Sequence, residues 1–137
     1  MAKVRSRFSK RSKYYISKHA FMTAYHYCLN YDEWKAEYEL SAGLHSGSKE
    51  GEGTGEGAND PTSTQAIRLA ELYEKIELIR STAYAAEPSL YPYLLRYVTQ
   101  EDLTFDKLKA EGMPCERDMF YDRRRKFYWL LSKRLNL

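Results

Sequence analysis

With 137 residues the chain has the length of one domain, with room for a modest core and one insert. Aromatic residues make up 15% of it, thirteen of them tyrosines, which is too many large rings for a wholly disordered chain. Its start is basic and polar and its apolar runs are only a few residues long, which excludes a secretory h-region and a membrane-spanning segment.

The net charge of +3 conceals a segregation. Residues 1–18 carry +7, residues 114–137 carry +4, and the 95 residues between them carry −8. Basic ends around an acidic middle suggest a polyanion gripped at the ends; a solvated tail beside an ordinary basic helix is the alternative. Two cysteines, Cys28 and Cys115, are expected to be reduced thiols of an intracellular protein, with a disulfide between them as the lesser alternative.

In chain order, residues 1–13 predict a mobile basic arm. Residues 14–42 are rich in aromatics and free of Pro and Gly, and predict one long helix or two shorter ones over about Tyr14–Leu40. Tyr14, Phe21, Tyr25 and Cys28, spaced seven, four and three apart, predict one buried stripe. Residues 43–59 change character to Gly, Ser and Glu and predict a flexible linker, without the Gly-Lys-Ser/Thr ending of a phosphate loop. In residues 60–88, Asp60-Pro61-Thr62 opens a helix with Thr62 and Gln65 at capping-box spacing, and Pro88 closes it after Ala86. Leu69, Leu72, Ile76, Ile79, Ala83 and Ala86 alternate at three and four, a seam for packing within the chain or, alternatively, for a homodimer through Leu69, Leu72, Ile76 and Ile79.

Residues 89–137 predict three helices. Ser89 caps one from Leu90 to about Thr99 with Tyr91, Leu94, Leu95 and Val98 inward; Thr104 caps a short one from Phe105 to about Ala110; and Gly112-Met113-Pro114-Cys115 turns into a last helix from Glu116 to about Leu135. The chain therefore reads as all-α: a small helical domain with a glycine-rich insert and a C-terminal helix-turn-helix. In that plan the last helix lies in the DNA major groove and its N-terminal half faces the base edges. On a wheel of about 100° per residue with Phe120 at zero, Phe127 and Leu131 fall within about 20°, flanked by Tyr128 and Leu130 near about ±80°, as the core face. Arg117, Asp118, Tyr121, Asp122 and Arg125 occupy the arc from about 60° to 200°, the expected DNA-reading face. Arg123 and Lys126 flank it as phosphate contacts. Arg124, at about 40°, sits beside the apolar stripe and must snorkel or pair internally.

The run Cys115-Glu116-Arg117-Asp118-Met119-Phe120-Tyr121-Asp122-Arg123-Arg124-Arg125-Lys126-Phe127-Tyr128-Trp129-Leu130-Leu131 resembles the C-terminal signature of phage late-gene transcriptional regulators of the RinA/ArpU type. Ser89-Leu90-Tyr91-Pro92-Tyr93-Leu94-Leu95, Asp60-Pro61-Thr62 and the block His26-Tyr27-Cys28-Leu29-Asn30-Tyr31-Asp32-Glu33-Trp34-Lys35 look similar too, so the likeness spans most of residues 14–135. It implies a regulator of phage or prophage late genes, acting through a helix-turn-helix similar to sigma-factor region 4, with bacterial RNA polymerase as an implied partner. One departure is Cys115, standing where the family's turn often ends in a hydroxyl residue that caps the last helix. A phage terminase small subunit and a protein-interaction adaptor without DNA binding are the competing readings.

No cofactor and no enzyme activity are expected. His19, His26, Cys28, His45 and Cys115 have no metal-ligand spacing. The carboxylates of Glu37 and Glu39, two apart on a helix, point to different faces.

Overall fold

A computed structural model describes residues 12–47 and 59–137. Most of the predicted basic arm and the glycine-rich residues 48–58 lie outside the described residues. Among the described residues the fold is all-α, with no strand: α1 is Lys18–Leu29, α2 Tyr31–Gly47, α3 Asn59–Ala86, then a 3-10 turn at Pro88–Leu90, α4 Tyr91–Thr99, α5 Phe105–Ala110 and α6 Arg117–Arg134.

The aromatic N-terminal stretch forms two helices. Ser17 starts α1 by accepting the Ala20 amide at 3.1 Å. Asn30 ends it, because its side-chain amide donates to the carbonyls of His26 (3.0 Å) and Tyr27 (3.4 Å), which a continuing helix would need for backbone bonds. The predicted stripe of Tyr14, Phe21, Tyr25 and Cys28 is buried throughout. Tyr14 precedes the helix in a turn made by Ser12, whose hydroxyl accepts the Tyr14 amide. Cys28 and Cys115 are buried free thiols, and burial pushes both up from the usual thiol range.

Several predicted boundaries move. Helix α2 runs on through Gly43 to Gly47, so the linker composition starts before the helix ends; Gly43 is exposed there, with no neighbour that a side chain would serve. Helix α3 begins at Asn59, which places Thr62 and Gln65 inside the helix rather than at its cap. Ser89 caps nothing: it sits in the 3-10 turn and its hydroxyl donates to the Glu87 carboxylate at 2.7 Å. In α4 it is Leu94, Tyr97, Val98 and Thr99 that are buried, whereas Tyr91 and Leu95 are half-buried.

The turn between α5 and α6 follows its sequence closely. Thr104 accepts the Lys107 amide at 3.2 Å as the cap of α5. At the other end Met113 N–H donates to Leu108 O (3.1 Å) and Gly112 N–H to Lys109 O (3.0 Å), with Gly112 at φ +100°. This is the Schellman arrangement, which requires a left-handed residue. Gly112→Ala should therefore cost about 1–2 kcal/mol from the backbone alone, since a Cβ there meets no neighbour within 4 Å; chemical denaturation would measure it, and no loss would refute the left-handed assignment. The cap of α6 is Glu116, not Cys115, and it makes no side-chain cap bond. Instead Lys109 Nζ donates to the Cys115 carbonyl at 2.9 Å, tying the turn back to α5. Helix α6 ends as α5 does: Leu137 N–H donates to Ser132 O and Asn136 N–H to Lys133 O, with Asn136 at φ +61°.

The chain divides into two compact units, residues 1–30 with 78–137 and residues 31–77. The second consists of α2 and the first part of α3. Arg68 grips Glu37 with two hydrogen bonds of 2.9 Å, Tyr38 packs on Tyr73 at 6.1 Å, and Lys75 lies over the Trp34 ring at 4.9 Å. The first unit holds α1, the end of α3, α4, α5 and α6 around Phe21, Tyr25, Leu94, Tyr97, Phe120, Phe127, Tyr128 and Leu131. Along α3 the seam residues Leu72, Ile76, Ile79, Ala83 and Ala86 are all buried within the chain, and Leu69 is half-buried. No helix among the described residues is long and apolar enough to cross a membrane.

Candidate nucleic-acid interface

Helix α6 is held by its neighbours on one broad face. Phe120 packs edge-on against Tyr97 of α4 at 4.9 Å and at a tilt against Phe105 of α5 at 5.4 Å. Tyr128 meets Phe21 of α1 edge-on at 4.9 Å. Near its end, Arg134 donates to the Thr82 hydroxyl of α3 at 2.9 Å. The buried residues are Phe120, Arg124, Phe127, Tyr128, Leu131 and Ser132, and Leu130 is only half-buried. The core face is thus centred near about +40° on the wheel, rotated from the expected centre at Phe120 toward Tyr128 and Ser132. That rotation puts Arg124 in the middle of the core face. Its guanidinium lies 5.6 Å from the Phe21 ring, 5.9 Å from Tyr97 and 5.4 Å from Tyr128.

The residues predicted to face DNA are on the remaining surface, but they are unequally available. Arg117 is exposed, yet it pairs with Asp106 at 3.0 Å and lies over the Phe105 ring at 4.6 Å. A cation in the first turn of a helix opposes the helix dipole, and Asp106 offsets it while joining α5 to α6. Asp118 is exposed. Tyr121 is half-buried, with its ring against Phe120 at 5.5 Å and Phe105 at 6.1 Å, so only part of it faces solvent. Arg123 turns back toward Glu87, with Nε 3.1 Å from the carboxylate as an ion pair rather than an aligned hydrogen bond, and Asp122 stands 3.2 Å from its Nη1. Arg125 has only a 3.9 Å approach to Asp122. Lys126 has no salt-bridge partner among the described residues, though it helps Arg123 and, first of all, the Ser89 hydroxyl to hold the Glu87 carboxyl below its ordinary range.

The four consecutive basic residues therefore separate into a buried cation (Arg124), a cation clamped to the end of α3 (Arg123), and two half-buried residues with weak or no ion pairing among the described residues (Arg125 and Lys126). Comparison with family models, with curated proteins and with solved structures finds no match to this chain. Among the described residues no three His, Cys, Asp or Glu side chains gather as a metal site.

The expected DNA-facing set ends at Lys126, but the surface continues beyond it. Trp129 and Lys133 fall near about 180° and 220° on the same wheel, one and two turns beyond Arg125. Trp129 is half-buried against Tyr14 at 5.4 Å, and Lys133 is exposed with its Nζ 4.6 Å from the Trp129 ring. The wheel extended by two turns contains both. Glu87 lies beyond any local pattern, because it sits thirty-six positions before the arginine it binds.

Proposed function

We propose that this chain is a sequence-specific double-stranded DNA-binding protein. In this reading α5, the Gly112 turn and α6 act as a helix-turn-helix, and the N-terminal half of α6 reads the major groove, a channel about 12 Å wide that admits one helix. The observation that carries the reading is Arg125. It is the arginine of the outward arc with the weakest internal pairing, and it stands on a helix fixed against α1, α4 and α5 by buried aromatic contacts. A guanidinium so placed offers a planar fork for guanine at little cost in broken ion pairs. Arg123 and Lys126, on the flank, suit phosphates. Arg117 and Tyr121 have structural duties on Phe105 that limit them to supporting contacts.

The likeness to phage late-gene regulators makes transcriptional control the proposed role, with RNA polymerase as the proposed protein partner. The test is selection of a preferred duplex from a random pool, followed by competition against unselected DNA. Arg125→Ala should cost about 1–3 kcal/mol of discrimination between preferred and unselected duplexes. A loss equal for both would make Arg125 a phosphate contact. If no preferred duplex emerges, sequence-specific reading is refuted.

A further inference from the structure

Arg125 stands at the end of a line of alternating charges that starts outside α6. Glu87, between α3 and the 3-10 turn, accepts the Ser89 hydroxyl with one carboxylate oxygen at 2.7 Å and places the other 3.1 Å from Arg123 Nε. Arg123 Nη1 lies 3.2 Å from Oδ2 of Asp122, and Oδ1 of Asp122 lies 3.9 Å from Nη2 of Arg125. The order is Glu87, Arg123, Asp122, Arg125, negative and positive in turn. All four side chains are between 20% and 38% exposed, so water screens these pairs less than it would on an open surface.

Asp122 is in an unfavourable place for general DNA affinity. It falls at about 200° on the wheel, beside Arg125 at about 140°, and a carboxylate there repels phosphates. Its effect on geometry is the opposite. An arginine side chain has much rotamer freedom, whereas a bidentate contact with guanine needs the planar fork in one orientation. A carboxylate three residues earlier, itself held on its other oxygen by Arg123, restricts that freedom before DNA arrives.

We propose that Asp122 is a positioning residue that orients the Arg125 guanidinium toward the guanine of a G·C base pair. This rests on the DNA-binding reading above and names the base pair that Arg125 reads. A carboxylate accepting directly from a cytosine amino group would instead read a base pair of its own, and an ordinary surface ion pair would influence neither.

The experiment measures binding of the full chain and of R125A, D122A and R125A/D122A to a preferred duplex selected from a random pool, to that duplex changed one base pair at a time, and to unselected DNA. R125A should lose about 5- to 150-fold of discrimination at one G·C pair. D122A should lose about two- to fivefold at that same pair, while its binding to unselected DNA is not weakened, because a repelling charge has gone. The double variant should discriminate at that pair no worse than R125A, since without Arg125 there is no fork to orient. A loss by D122A at a different base pair, adding to that of R125A, would make Asp122 a reader and overturn the positioning role. Full discrimination by D122A would also overturn it and leave the reading by α6 standing. A uniform loss on all duplexes would assign Asp122 a structural role and overturn the proposal too. A preferred duplex on which R125A has no effect would remove Arg125 as reader, and the proposal with it. If the full chain selects no preferred duplex, the DNA-reading function itself is overturned.

Discussion

Phe120→Ala is expected to destabilise the protein by about 3–5 kcal/mol, the range for emptying a fully enclosed aromatic site. Phe120 has no exposed surface and touches rings from three directions, Tyr97 at 4.9 Å, Phe105 at 5.4 Å and Tyr121 at 5.5 Å. These neighbours belong to α4, α5 and α6, so the lost ring joins three elements at once, and aromatic pairs of this geometry add to the plain burial of area. Urea denaturation monitored by circular dichroism measures the change. Met119, the preceding residue, is exposed, and its replacement by alanine should shift stability by no more than about 0.5 kcal/mol. Under the proposed DNA-binding role, DNA affinity should fall with the folded fraction in the Phe120 variant and stay unchanged in the Met119 variant. A loss below about 1 kcal/mol at Phe120 would mean that α5 does not pack on α6 as described.

The second large effect is expected at Arg124. With 5% of its surface exposed, it is the only one of the four consecutive basic residues that is buried, and it faces the rings of Phe21, Tyr97 and Tyr128. Burial raises the phenols of Tyr97 and Tyr128 above their ordinary range, more than the nearby guanidinium lowers them. Both rings therefore stay neutral, and the attraction is that of a cation for ring faces rather than for a phenolate. Such a contact is worth about 2 kcal/mol when water is excluded. Arg124→Ala loses both the cation and the packed stem, and should cost about 2–4 kcal/mol. Arg124→Met retains most of the volume and should cost about 1–2 kcal/mol, with Arg124→Lys between the two, because a compact ammonium cannot face three rings at once. If the methionine variant were as stable as the parent, the cation would contribute nothing and packing alone would explain the site.

Arg124 also shows how far the candidate interface is legible in the pattern of residues. The wheel places it beside the apolar stripe, and the structure buries it there. The wheel does not give the roll of α6 about its axis, because Tyr128 and Leu130 flank Phe120 symmetrically in the pattern. The roll is decided by α1 and α4, whose Phe21 and Tyr97 take the Tyr128 side and leave Leu130 half-buried. Arg117 and Arg123 are legible as surface cations, but their engagement in ion pairs is not. Their partners, Asp106 and Glu87, lie eleven and thirty-six positions away, and no local period connects them.

What the amino-acid sequence determined by itself was local. The all-α class followed from periodicity, the Thr104 cap and the Gly112 turn from residue chemistry that admits few alternatives, and the buried stripe of Tyr14, Phe21, Tyr25 and Cys28 from its spacing. Tertiary structure alone decided which helices share a core. Helix α1 joins α4 and α6, whereas α2, adjacent to α1 in the chain, pairs with the first part of α3. The physical reason is that apolar periodicity specifies that a face will be buried without specifying against what, while the partner is chosen by the fit of particular rings and charges brought together from distant positions.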